Sequence, residues 1–311
     1  MKIAVVGAGG VGGYFGARLA ASGEDVWFIA RGKHLEAMRK DGLRVLSANG
    51  DLTIQSVQAT DDPGQVGYAD VVMIAVKLWS TEEALSQARP LVGPRTAVVS
   101  FQNGVLAADL IGARYGFERT LGGVSNIGAA IEAPGVIRHT GTMAILSFAE
   151  LDGRRSDRVE ALRQACERAK IEVRVPNDIR KAIWEKFVSL VALSSMTCLT
   201  RLPVGPIRDD PDTRALTISL MEEVVAVGRA KGVALDADTA AERMGWIDKL
   251  PRHMVASMLG DLERGNRLEL PWLAGNVVEM GKELGISTPA NWFVYTALKL
   301  YTNGRPAEAR G

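Results

Sequence analysis

The chain has 311 residues, of which 47% are apolar and 23% charged, with a formal net charge of +1. At roughly 100–200 residues per domain this length accommodates two domains with sizeable cores, and the charge balance gives no reason to expect nucleic acid or an anionic membrane as a partner. The two cysteines, Cys166 and Cys198, and the three histidines, His34, His139 and His253, show no metal-ligand spacing, so no metal is expected. The cysteines read as reduced, buried core residues of a cytoplasmic protein.

The first half alternates between strand and helix signals. KIAVVG (2–7) is a short apolar run ending in glycine, and Val11 to Ser22 has helical spacing that stops at Gly23. Met1-Lys2 leads straight into that first strand, so no secretory leader is expected. DVWFIA (25–30) is the next strand, and residues 43–60 read as a polar hairpin turning at Asn49-Gly50. ADVVMIAVK (69–77) and TAVVSFQNG (96–104) are further strands, separated by the helix of TEEALSQARPLV. LGGVSNIGAA and VIRHTGTMAILSFAE add strands, residues 156–170 a helix, and IEVRVP closes the region. Unbroken apolar strands alternating with helices predict a mainly parallel sheet covered on both faces.

After Pro176 the strand signals cease. Candidate helices run at 178–200, 212–231, 238–249, 251–264, 271–284 and 289–302. Asp212, Asp238, Pro251, Pro271 and Thr288-Pro289 are their start signals, and Gly232, Gly285 and Gly304 are stop signals. The predicted organisation is α/β: a dinucleotide-binding domain over 1–176, followed by an all-α domain over 177–311. The uncharged run 187–200 is shorter than the about 20 apolar residues that span a bilayer.

GAGGVG (7–12) sits between the first strand and the first helix of a βαβ unit, the setting a G-x-G-x-x-G turn requires to bind a dinucleotide. Gly7 permits the tight turn, Gly9 lets backbone approach a pyrophosphate, and Gly12 lets helix and strand pack closely. Ala8, Gly10 and Val11 complete the loop, whose helix N-terminus attracts phosphate charge. The competing reading is a glycine-rich turn with no ligand. An NAD-binding strand usually ends in Asp or Glu; here the second strand ends in Ala30 followed by Arg31. A guanidinium suits a 2′-phosphate, so NADPH is favoured, with Lys33 nearby. A solvated loop arginine is the alternative. Lys77 follows another strand, and Gln102, Asn103 and Gly104 follow the next. Such strand ends gather ligands in α/β sheets.

GAGGVGG, the arginine after the second strand, AVK, QNG, APGVIRHTG, WEK and SMLGDLERGNRLELPWLAG occur here in one order. In this the chain resembles the ketopantoate reductases over nearly its whole length. The resemblance implies a Rossmann-type NADP-binding domain, a helical second domain, and NADPH-dependent reduction of ketopantoate to pantoate on the way to coenzyme A. It implies that Lys186 of WEK is the general acid and that Lys77 and Asn103 lie in the cofactor and substrate site. It further implies that Ser257 contacts substrate and that Glu269 lies near substrate and lysine. The chain departs from the pattern at two positions: Leu190 and Ser194 stand where many members carry asparagines. Ser194 retains a hydrogen-bonding group; Leu190 does not. Members of the family occur as monomers and homodimers.

Lys186 opens a stretch that carries no other charge up to Thr200. Partial burial there would lower its pKa towards working pH and suit it to neutralise charge developing on a carbonyl oxygen. A hydrated Glu185-Lys186 pair facing water is the competing reading. Two other functions fit the same motifs: reduction of a different branched 2-keto acid, and NADPH binding without catalysis. The apolar stripe Met221, Val224, Val225, Val227 and Gly228 reads as core or dimer contact, and Trp246, Trp272 and Trp292 read first as core.

Overall fold

The computed structural model describes residues 1–308, which form two compact units dividing after Arg180. In the first, β1 (Lys2–Val6), α1 (Gly10–Ala21) and β2 (Asp25–Ile29) make a βαβ unit. Its two strands are parallel, with Ile3 beside Val26. α2 (Gly32–Asp41) leads into β3 (Leu43–Leu46) and β4 (Leu52–Ile54), an antiparallel hairpin. β5 (Gln58–Thr60) leaves that hairpin and pairs parallel with β2. The single hairpin expected over 43–60 therefore ends at residue 54. Alternation marks a short strand but does not say which neighbour it takes.

β6 (Val71–Ile74), α3 (Thr81–Gln87), β7 (Ala97–Ser100) and α4 (Ala107–Tyr115) continue the alternation. β8 (Thr120–Ala133) and β9 (Val136–Glu150) form a long antiparallel hairpin with irregularities at Ile127/Gly128 and Ile131/Ala133. α5 (Asp157–Arg168), capped by the Ser156 hydroxyl accepting from the Val159 N–H, precedes β10 (Glu172–Arg174). The sheet order is β4-β3-β9-β8-β7-β6-β1-β2-β5, with β10 also paired to β9. From β1 the chain steps to β2, crosses to β3 and β4 at the far edge, comes back to β5 beside β2, and then enters β6 on the other side of β1. That reversal makes the β1/β6 boundary the topological switch point, where open α/β sheets bind ligands.

Both faces of the sheet are covered, as the apolar strands predict. Ile3 and Val5 pack into a core with Tyr14 and Phe15 of α1, Leu35 and Met38 of α2, and Leu162 and Cys166 of α5. Ala4 and Val6 of the same strand pack into a second core with Leu85 of α3 and Ile111 of α4. The period-2 alternation of β1 thus feeds two cores at once.

The second unit is helical: α6 (Ile179–Thr200), whose first two residues precede the dividing point, α7 (Val204–Asp209), α8 (Pro211–Ala230), α9 (Thr239–Ile247), α10 (Ser257–Glu263), α11 (Ala274–Leu284) and α12 (Pro289–Leu298). α8 is central and packs against α7, α9, α11 and α12. Its Leu220, Met221, Val224 and Val227 are fully buried, so the stripe predicted as core or dimer contact is core. Gly228 lies against Trp184, where a methyl group would stand 2.7 Å from the indole.

Several details differ from expectation. α8 is capped by Asp210, which accepts from the N–H groups of Asp212 and Thr213, with Pro211 in the first turn. Two aspartates flank Pro211, and only the one before it has the extended backbone a cap needs. α10 begins at Ser257, not near Pro251. α2, α4 and α7 were not predicted; they are short, and α4 and α7 contain glycine or proline. α12 opens with the Ala290 and Asn291 N–H groups donating to Glu223 at 2.7 and 2.9 Å. Trp292 is 55% exposed and not core.

α6 has 22 residues and, among the described residues, is the one helix long and apolar enough to cross a membrane. The uncharged run alone understates its length. Of its most apolar window 61% is buried, the pattern of a core helix in a folded domain. Cys198 on α6 and Cys166 on α5 are buried free thiols, and burial pushes each up to about 12.

A Cβ on Gly10 would stand 2.1 Å from the Ala129 carbonyl oxygen of β8. Gly10→Ala is expected to cost about 1–3 kcal/mol by overpacking, because backbone cannot swing aside. A thermal melt reads this as a lowered midpoint; an unchanged midpoint contradicts the packing described.

Candidate active site

The glycine turn is built by steric exclusion. Gly7 ends β1 at φ +99°, a conformation open chiefly to glycine. A Cβ there would meet Val76 at 2.8 Å, so the turn lies directly against the end of β6. Gly12 faces the Gly7 carbonyl, 2.1 Å from where its own Cβ would stand, which draws α1 onto β1. Gly9, the N-cap of α1, differs: a Cβ there would meet nothing within 4 Å. Backbone is therefore exposed at the place where α1 presents its unpaired first-turn N–H groups and the positive end of its dipole. Ala8 is buried, while Gly10 and Val11 are half-buried in the first turn. The arrangement fits a pyrophosphate, and the residues present could hold a dinucleotide.

His34, on α2, fixes this loop. Its Nδ1 accepts from the Gly135 N–H at 3.0 Å, so Nε2 carries the proton and donates to the Ala8 carbonyl at 2.9 Å. Burial holds its pKa below the usual histidine value, which preserves that neutral tautomer. No sequence signal marks His34 for this task, because both partners are remote backbone groups.

The other predicted residues of this unit stand at the C-terminal ends of parallel strands, along one edge of the sheet. Arg31 follows β2 and is exposed; its Nη1 donates to Glu83 Oε1 of α3 at 2.9 Å. Lys77 follows β6, exposed, with its ammonium 5.7 Å above the Trp79 ring. Asn103 follows β7 and is half-buried. Gln102 is buried and engaged: its Nε2 donates to the Val76 carbonyl at 2.9 Å and to Thr81 Oγ1 at 2.8 Å, and its Oε1 accepts from Ser100 Oγ at 3.0 Å. Gln102 therefore ties the end of β7 to that of β6. Ser100 and Thr81, its partners, carry no motif that would have singled them out.

In the helical unit, Lys186 lies on α6, half-buried. Burial pushes its amine from the usual 10.5 down to about 8, against the negative charge of Glu269, which raises it. Glu269 is 7% exposed and begins the short turn Leu270–Trp272. Lys186 is thus partly withdrawn from water. Ser194, two turns further along α6, is 1% exposed, and its hydroxyl has no hydrogen-bond partner. An unsatisfied buried hydroxyl costs about 1–3 kcal/mol, a cost that a bound polar ligand would remove. Leu190, between them at helical spacing, is half-buried and apolar. Ser257 is exposed as the first residue of α10.

Other polar and aromatic residues have structural tasks. His253 lies in the irregular stretch before α10 and is exposed. His139 bonds Ser47 and the Met143 carbonyl. Arg243 donates to Ser189 at 2.8 Å and covers Trp246, while Arg267 covers Trp272.

Comparison with known proteins agrees with this geometry. Residues 3–153 match the model of the family described as Ketopantoate reductase PanE/ApbA, and residues 178–302 match its C-terminal model. The chain is 34% identical over 301 residues to the "Uncharacterized oxidoreductase YkpB" of Bacillus subtilis, covering 97% of this chain and 99% of the relative. It is 35% identical to a 2-dehydropantoate 2-reductase of Mesorhizobium japonicum, covering 93% and 94%. The crystal structure of a PanE/ApbA family ketopantoate reductase from Ralstonia eutropha superimposes with a TM-score of 0.88 at 32% identity, covering 97% and 98%. A glycine turn at the switch point of the sheet, followed by a helical unit, with family models matching residues 3–153 and 178–302 and relatives covering nearly the whole chain, makes this chain a member of the ketopantoate reductase PanE/ApbA family and an NAD(P)-dependent oxidoreductase.

Proposed function

We propose that the chain reduces ketopantoate to pantoate with NADPH as hydride donor, Lys186 being the general acid, in the cytoplasmic route to coenzyme A. The observation that carries this reading is the half-buried Lys186 amine, with its pKa near 8 and the buried carboxylate of Glu269 close by. Relatives named 2-dehydropantoate 2-reductase support the substrate.

When bound, NADPH supplies the hydride that adds to the keto carbon. The Gly9 turn holds the pyrophosphate, and Arg31 pairs with the 2′-phosphate. Lys77 and Asn103 orient ligand at the strand ends. Lys186 holds a proton on Nζ and passes it to the keto oxygen as negative charge develops there, leaving a neutral amine that solvent reprotonates. Glu269 keeps the lysine protonated near neutral pH, since its charge opposes the effect of burial. Ser257 binds the substrate carboxylate, and Ser194 supplies a hydroxyl to a substrate oxygen.

Leu190 favours a second reading, in which the same chemistry acts on a different branched 2-keto acid with more apolar bulk. A leucine there contributes surface but no hydrogen bond. Comparison of kcat/KM decides: ketopantoate is expected to exceed 2-ketoisovalerate and oxaloacetate by more than about tenfold, the scale of one specific hydrogen bond plus shape. Equal or reversed values favour the second reading.

Lys186→Ala is expected to lower kcat by about 10²–10⁴-fold, the usual contribution of a general acid, with NADPH affinity unchanged. Near-normal turnover excludes Lys186 from the chemistry. Because the acid must be protonated, reduction should proceed at full rate below about pH 8 and decline above it. Glu269→Gln removes the charge that raises the amine, so the decline should begin at lower pH. A limb that stays in place or moves to higher pH contradicts the pairing.

A further inference from the structure

Arg31 has a partner within the chain. Its guanidinium is exposed at the end of β2, yet it is held by Glu83, which also accepts from Gln87 Nε2 at 3.1 Å. Glu83 stands in the first turn of α3, where the helix dipole favours a carboxylate. α3 follows β6, so the crossover beyond the switch point delivers an acidic group to the end of β2. That is the location at which dinucleotide folds recognise the ribose 2′ position: a carboxylate there accepts from a hydroxyl, a guanidinium there binds a phosphate. This chain has both, one on each side of the same place, and they neutralise one another.

We propose that Glu83 is a cofactor-specificity residue: it competes with the 2′-phosphate of NADPH for Arg31 and offers a carboxylate to the ribose hydroxyl of NADH, so that the chain binds both dinucleotides with a muted preference. The inference rests on the assignment of Arg31 to the 2′-phosphate. A phosphate arriving at Arg31 must displace a carboxylate and then lie beside its charge. The pair itself is solvent-exposed, at 64% and 50% for the two side chains, so displacing it is feasible and the penalty is modest. NADH brings no charge to the position and leaves the pair intact.

The test is a titration of the whole protein with NADPH and with NADH, read by nicotinamide fluorescence without keto acid. In Glu83→Gln the ratio Kd(NADH)/Kd(NADPH) should rise by roughly three- to tenfold relative to the parent chain, the scale of one exposed charge interaction. Most of the change should come from tighter NADPH binding. A ratio that is unchanged or falls overturns the inference. Arg31→Ala, titrated in parallel, should weaken NADPH far more than NADH. If it does while Glu83→Gln has no effect, Arg31 retains its assignment and Glu83 loses its role. If Arg31→Ala weakens both equally, the assignment of Arg31 to the phosphate fails. Both side chains lie at the surface, so neither substitution removes packing from the core.

Discussion

An ammonium withdrawn from water loses hydration that the protein must replace or do without. In this chain Lys186 does partly without: the residues after it up to Thr200 are uncharged, and the negative charge of Glu269 compensates in part. The balance leaves an acid whose pKa is near 8, close enough to neutrality to give up a proton and still be largely protonated beforehand. α6 is long because its apolar face must be buried over several turns, and α8 supplies the core that anchors its neighbours. The Leu270–Trp272 turn sets Glu269 in a buried place.

The α/β unit solves a different problem, that of exposing backbone to a polyanion without leaving it unsupported. Glycines at 7, 10 and 12 allow three close approaches, and Gly9 leaves the one opening. The loop is then braced from outside by His34 on the Ala8 carbonyl and by Gln102 between the ends of β6 and β7. Rigidity here comes from hydrogen bonds to backbone, and it spares the binding surface from carrying its own supports.

How much of this was legible in the residues depended on whether the determining forces were local. The G-x-G-x-x-G turn could be read because its constraint is steric and confined to six positions. The double burial of the sheet could be read from unbroken apolar strands. The fate of β5 could not, since three residues of alternating pattern fit either sheet edge. His34 bonds backbone 26 and 101 positions away, and Gln102 reaches Val76 and Thr81, 26 and 21 positions away, as well as nearby Ser100; spacing cannot reveal the distant partners. The false start of α10 had a local cause: Pro251 is a good first-turn residue, yet the chain stays irregular until Ser257. Trp292 defied the expectation of a buried aromatic because α12 is short and turns that side outward. Lys186 is intermediate. Its apolar surroundings were plain in the sequence, whereas the nearness of Glu269 came from resemblance to the family and then from the fold.

The most direct measurement is a titration of the Lys186 amine itself, by NMR of selectively labelled lysine or by the pH dependence of its acylation rate. A midpoint near 8, moving downward when Glu269 is neutralised, is the result this account predicts. A midpoint near the ordinary lysine value of 10.5, indifferent to Glu269, would show a hydrated surface amine and remove the proposed acid.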